Sequence, residues 1–119
     1  MSEPTRLIKE LVDVRDQQKC VRCGKSLYNI SASHHHRKLR SQATETEKHT
    51  PSNLILLCGS GTTGCHGWVH NHPKESYKQG WLVRSTLNPE KQPVTTSQYG
   101  RVLLTNEGTV TPLQKEQQS

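Results

Sequence analysis

Phenylalanine is absent from this 119-residue chain, and aromatic residues of all kinds reach only 4%. Hydrophobic residues make up 29%. That is a thin supply for a core, and small chains with thin cores need a disulfide, a metal or a partner to hold them. No apolar run is long enough to span a bilayer. The N-terminal stretch carries no apolar signal segment either. These absences exclude a membrane-spanning reading and predict an intracellular, cytoplasmic protein. Thiols stay reduced there, so the four cysteines favour metal ligation over disulfides. No internal repeat is visible, and the length fits one domain.

What the chain has in excess is positive charge. Lys and Arg number 16 against 10 Asp and Glu, a formal net charge of +6 with a pI near 9.4. Such a surface suits nucleic acid or an anionic membrane. Charge alone is equally compatible with a soluble basic protein that has no polyanionic partner.

Taken in order, the chain opens with a helix over 4–17, capped by Ser2 with Pro4 early in it. Leu7, Ile8, Leu11 and Val14 form its apolar stripe, with Val12 beside them. Cys20-Val-Arg-Cys23-Gly24 follows. Two cysteines at this spacing wrap one ion, and the glycine permits the tight turn. A redox dithiol is the competing reading of the pair alone. A second pair, Cys58 and Cys65, makes a four-cysteine zinc site the better reading, although the C-x6-C spacing is loose. Residues 26–39 predict a turn and then a strand carrying His34, His35 and His36. The strand runs into Arg37-Lys38-Leu39-Arg40. A basic loop touching phosphate without chemistry is the alternative for this stretch. Residues 41–52 are polar and aperiodic, as in a mobile loop.

Asn53 to Leu57 reads as a short buried strand. Cys65 to Asn71 reads as helical, with His66 and His70 on one face at i and i+4, able to hold one metal ion. A second short helix is expected over 73–79, ended by Gly80, then a strand over 81–84. Residues 85–98 form a loop containing Pro89 and Pro93. The stretches 100–105 and 109–112 flank Asn106-Glu107-Gly108, a hairpin signal. The tail from 114 is polar and predicted to be disordered.

The ordered set of Cys20-x2-Cys23, His-His-Arg, Asn53 leading into Leu-Ile-Leu-Leu-Cys58, then Cys65-His66 with His70, resembles the HNH endonucleases. It is most similar to the small HNH proteins of tailed phages, often encoded beside the packaging terminase. The resemblance covers residues 18–83. It implies an α+β fold with a zinc-stapled ββα-metal (His-Me finger) core over 18–83. An N-terminal helix (1–17), a C-terminal loop and hairpin (84–113) and a disordered tail (114–119) lie outside it.

The resemblance also implies roles. His36 is the general base, and Asn53 orients it by hydrogen bonding near its backbone. His35 and His66 bind the catalytic metal, and His70 is a third ligand or a phosphate contact. Cys20, Cys23, Cys58 and Cys65 hold a separate structural zinc. Arg37, Lys38 and Arg40 position phosphates. His49 and His72 match nothing and are read as surface residues. Strand alternation leaves one question: neighbours face opposite sides, so His34 instead of His35 is the competing ligand frame.

The implied activity is hydrolysis of DNA by nicking or double-strand cleavage, with a phage terminase as partner and the host cytoplasm as location. A metal on the scissile phosphate neutralises charge, and a neutral imidazole takes a proton from water. The matched positions offer imidazoles and no carboxylate, which suits Mn²⁺, Ni²⁺ or Co²⁺ better than Mg²⁺. The reading from another class is a non-catalytic zinc-stapled DNA-binding or scaffold module.

Overall fold

A computed structural model describes residues 4–39, 42–44 and 47–113 of the chain. The expected Ser2 cap, the Arg40 phosphate contact and the tail from 114 lie outside these residues. Helix α1 spans Arg6–Arg15 and is capped by Thr5, whose hydroxyl accepts the Ile8 N–H at 3.2 Å. Its buried face differs from the predicted stripe. Val12 is fully buried, whereas Leu7 and Val14 are 64% and 78% exposed. The reason lies at Arg15, which turns inward. Its guanidinium donates to both oxygens of Asp16 and to the carbonyls of Pro51 and Leu54. Asp16 in turn accepts the Leu56 N–H at 3.0 Å.

Strand β1 (Ala32–His36) pairs antiparallel with β2 (Leu54–Cys58), setting His35 opposite Ile55 and His36 opposite Leu54. Every residue of β2 is buried. Its outer edge is closed by Asp16 and by the Val21 N–H, which donates to Leu56 O at 2.9 Å. An apolar strand sealed on both edges is the centre of the core. Helix α2 (Gly64–Asn71) packs against it, and α3 (Pro73–Gln79) follows directly. The chain therefore runs strand, strand, helix around β2. Gly80 ends α3 in the left-handed region at φ 83°, and a Cβ there would lie 2.0 Å from Pro93 O.

No strand forms over 81–84, contrary to expectation. Trp81, Leu82 and Val83 are buried, but their N–H groups go to Ser76 O, Ser76 O and Arg37 O. The backbone is satisfied by a helix end and a bend, so no ladder is needed. The predicted loop over 85–98 contains a 3-10 turn at Pro89–Lys91 and a strand, β3 (Val94–Thr96). It joins β4 (Gly100–Leu104) and β5 (Val110–Pro112), which form the expected hairpin, in an antiparallel sheet of order β3-β4-β5. This small sheet grips the cysteine end of the core. Ser97 donates its N–H to Val21 O and its hydroxyl to Cys20 O, and Gln98 donates to Asp16 O. The fold is thus α+β with two small antiparallel sheets. Among the described residues no helix is long and apolar enough to cross a membrane.

Candidate metal centres

The cysteine pairs meet as the spacing argument requires. Cys20, Cys23, Cys58 and Cys65 bring their sulfurs within 4.8 Å of one another, and all are free thiols. Cys20 and Cys23 bracket the turn that ends at Gly24, while Cys58 closes β2 and Cys65 sits in the first turn of α2. Backbone N–H groups point at the sulfurs: Cys23 N–H to Cys20 Sγ at 3.5 Å, and Cys65 N–H to Cys58 Sγ at 3.4 Å. Arg22 donates to Cys65 Sγ at 3.3 Å and stacks over Trp68 at 3.7 Å. Donors and a cation ringed around sulfur are what thiolates need. Burial pushes the Cys65 thiol up to about 12, so only a cation seated among the sulfurs would keep it ionised. The cluster can hold a structural metal such as zinc. The loose C-x6-C spacing is absorbed by the loop 59–64, where Gly59 and Gly64 both have positive φ.

A second cluster lies against a different face of α2. His35 from β1 meets His66 and His70 from α2, with candidate donor atoms within 4.8 Å. The ring centroids of His35 lie 5.0 Å from His66 and 5.4 Å from His70, and the last two lie 4.8 Å apart. His35 Nε2 is 2.8 Å from Trp81 O. A carbonyl only accepts, so Nε2 carries the proton and Nδ1 keeps its lone pair. This is how a metal-binding histidine is usually held. His66 Nδ1 is buried with no hydrogen-bond partner, and such an orphan calls for an explanation. Burial takes His35 down to about 3, with His66 adding to it, and burial with His70 takes His66 down to about 4. Both rings are therefore neutral at pH 7. This donor set fits a divalent transition ion.

The alternation question is answered by position. His34 leaves β1 on the opposite face and bonds Asp13 of α1 at 2.7 Å, so it does not enter the imidazole cluster. His36 shares that opposite direction at the strand end. Its Nε2 lies 3.1 Å from Nδ1 of His49. It nevertheless stands close enough to His35 to help lower that ring's basicity.

Asn53 is fully buried and acts on backbone. Its Oδ1 accepts the Lys38 N–H at 2.7 Å, and its Nδ2 donates to Lys38 O at 3.2 Å and Lys48 O at 3.1 Å. It thereby ties the end of β1 to the segment carrying His49. Two expected phosphate contacts are occupied elsewhere. Arg37 is 0% exposed, and its guanidinium donates to the carbonyls of Gly80, Ser52, Pro89 and Gln92. Lys38 is buried and paired with Glu47 at 2.8 Å. A fully buried arginine with four of its five N–H donors engaged by carbonyls is not placed to reach phosphate.

His49 was expected on the surface and is instead half-buried beside His36. No spacing signal in the sequence links them; the link is the Asn53 clamp on the neighbouring Lys48. His72 is exposed, as expected, and stacks on Trp68 at 4.0 Å. The described part of the predicted mobile loop 41–52 is held by Lys38–Glu47, Asn53–Lys48 and His36–His49. Comparison with family models, with curated proteins and with solved structures returned no match.

Proposed function

We propose that the protein is a metal-dependent endonuclease of the HNH kind, hydrolysing DNA phosphodiester bonds. One observation carries this reading: three imidazoles, His35, His66 and His70, converge where β1 meets α2, separate from the four-cysteine cluster. A purely structural zinc module needs the cysteines and has no use for that second set. A divalent ion held by the three imidazoles would supply charge neutralisation at the scissile phosphate. The remaining work falls to the chain. His36 is the general base. Its Nε2 shares a hydrogen bond with His49 Nδ1 at 3.1 Å. His49 fixes the tautomer and tilt of that ring. Asn53 holds both supports in place by bridging Lys38 and Lys48. A phage packaging terminase is the partner that the HNH resemblance implies.

A non-catalytic zinc-stapled module is the second reading. It is favoured by the burial of His35, which is only 2% exposed. Plasmid nicking by zinc-loaded protein, with and without added Mn²⁺, separates the two. Metal-dependent conversion of supercoiled to open-circular DNA that disappears with His66→Ala supports the nuclease. No conversion with any divalent ion leaves the binding module.

A further inference from the structure

The burial of Arg37 and Lys38 moves the question of phosphate contact elsewhere, because the formal charge of +6 must then act from other residues. Arg15 is buried against Asp16, and Arg6 is paired with Glu10. A groove of about 350 Å³ lies between α3 and the segment that follows it. Lys74 and Lys78 line one wall and Arg84 the other, and all three are exposed. Lys74 and Lys78 are i and i+4 on α3, one above the other on the same helix face. The Arg84 guanidinium lies 4.3 Å over the ring of Tyr77, which also lines the groove. No Asp or Glu is among the described residues lining it. The larger groove beside Ser52 differs, since Glu47 and Glu90 line it together with the already paired Lys38.

The groove is joined to the imidazole cluster by a short length of main chain. Trp81 O holds His35, and the next residues, Leu82 and Val83, form the groove floor before Arg84. At the other end His70 is exposed in the last turn of α2, immediately before α3.

We propose that the Lys74–Lys78–Arg84 groove is the track for a nucleic-acid backbone, holding phosphates to one side of the imidazole site without reading sequence. This rests on the nuclease reading only for the direction of the track; the phosphate contact stands on the groove itself. Three cations across a narrow concave channel without carboxylates match a phosphodiester chain better than a flat membrane surface.

The test measures binding apart from cleavage. Zinc-loaded protein without added divalent ion is titrated into a fluorescent 30-base-pair duplex at several salt concentrations. Lys74→Gln/Lys78→Gln/Arg84→Gln is compared with Lys9→Gln/Lys19→Gln/Lys25→Gln, an equal charge loss elsewhere. Lys74→Gln/Lys78→Gln alone guards against any fold change from losing the Arg84–Tyr77 stack. Losing three phosphate contacts lowers the slope of log affinity against log salt by about 2.7, so the affinity lost between 50 and 200 mM salt shrinks about 40-fold. The lysine pair is expected to give about two-thirds of that slope change, and the control triple little of it. The proposal is overturned if the control triple changes the slope as much as the groove triple. It is also overturned if the groove variants bind like the parent, or if the parent does not bind the duplex. Groove-dependent binding by a protein that never nicks DNA would remove the nuclease and leave the track. Nicking with unchanged binding in the groove variants would do the reverse.

Discussion

Replacing Arg37 with Met tests the claim that this basic residue belongs to the core. The side chain is 0% exposed and makes hydrogen bonds of 2.7, 2.8, 3.2 and 2.8 Å to the carbonyls of Gly80, Ser52, Pro89 and Gln92. Methionine fills much of the volume but donates nothing. Pro89 O retains the Gln92 N–H at 3.3 Å, so three carbonyls lose the donor that now serves them. A charge-assisted hydrogen bond contributes about 1.5–3 kcal/mol. Against that stands the cost of burying the guanidinium, whose pKa burial pushes down to about 9, with Arg15 adding to the shift and Asp16 opposing it. The two effects partly cancel, and breaking such a buried network typically costs about 3–5 kcal/mol. With a urea m-value of about 1.5 kcal/mol/M, the midpoint should fall by about 2–3 M. Arg37→Lys should not rescue it, because one ammonium cannot reach four carbonyls on three segments. The assay is urea denaturation of the zinc-loaded protein, followed by tryptophan fluorescence. An Arg37→Met midpoint within 0.5 M of the parent would refute the reasoning and return Arg37 to the surface.

Four further outcomes are expected. Zinc analysis should find one tightly held ion per chain, and Cys23→Ser should lower both zinc content and thermal midpoint; folded protein without zinc would contradict the four-cysteine assignment. His36→Ala should slow nicking by about 10²–10⁴-fold while duplex binding is retained, and His49→Ala should lower kcat with little change in KM; parent-like rates in either variant would remove it from the site. Mn²⁺, Ni²⁺ or Co²⁺ should support nicking at lower concentration than Mg²⁺, since the ligands are imidazoles; saturation by Mg²⁺ at the lowest concentration would count against them. Without metal at the imidazole site, stability should fall as pH drops below about 6.5. His35 and His66 are depressed to about 3 and about 4, so the unfolded chain binds more protons across that window; a flat urea midpoint between pH 7 and 5 would refute the burial of these rings.

Much of the scaffold was legible because local chemistry fixes it. Gly80 as the stop of α3, Pro73 as its first residue and the turn at Asn106-Glu107-Gly108 are decided by φ and by missing donors, whatever lies around them. The four-cysteine cluster was legible for a similar reason, since few other arrangements suit paired cysteines in a reduced, core-poor chain. What failed were inferences from polarity alone. Arg15 and Arg37 look like surface charge in the sequence, yet both are buried and wired to carbonyls. Turning Arg15 inward also rotated the buried face of α1 away from Leu7 and Val14. The segment 81–84 has the apolar character of a strand, but its N–H groups found partners at Ser76 and Arg37. His49 was invisible because its position beside His36 depends on the side chain of Asn53, which closes a loop that no periodicity describes.

The cysteine and imidazole clusters are not independent, and the reason is a single helical step. Cys65 and His66 are neighbours in the first turn of α2, about 100° apart around the axis at 3.6 residues per turn. Cys65 is thereby carried to the sulfur cluster, while His66 is carried, with His70 one turn further, to His35. The ligand types differ: thiolates favour zinc, while imidazoles suit zinc and other transition ions. The start of α2 is short of other anchors. Thr63 provides no side-chain cap, and Gly64 sits at φ 60°, where an added Cβ would meet Cys58 O at 2.6 Å. Cys65 bonded to the Cys58 sulfur is what sets the rotation of the helix. Disrupting the cysteine cluster, as in Cys65→Ser, is therefore expected to loosen that rotation and move His66 away from His35, although no residue of the imidazole cluster is touched.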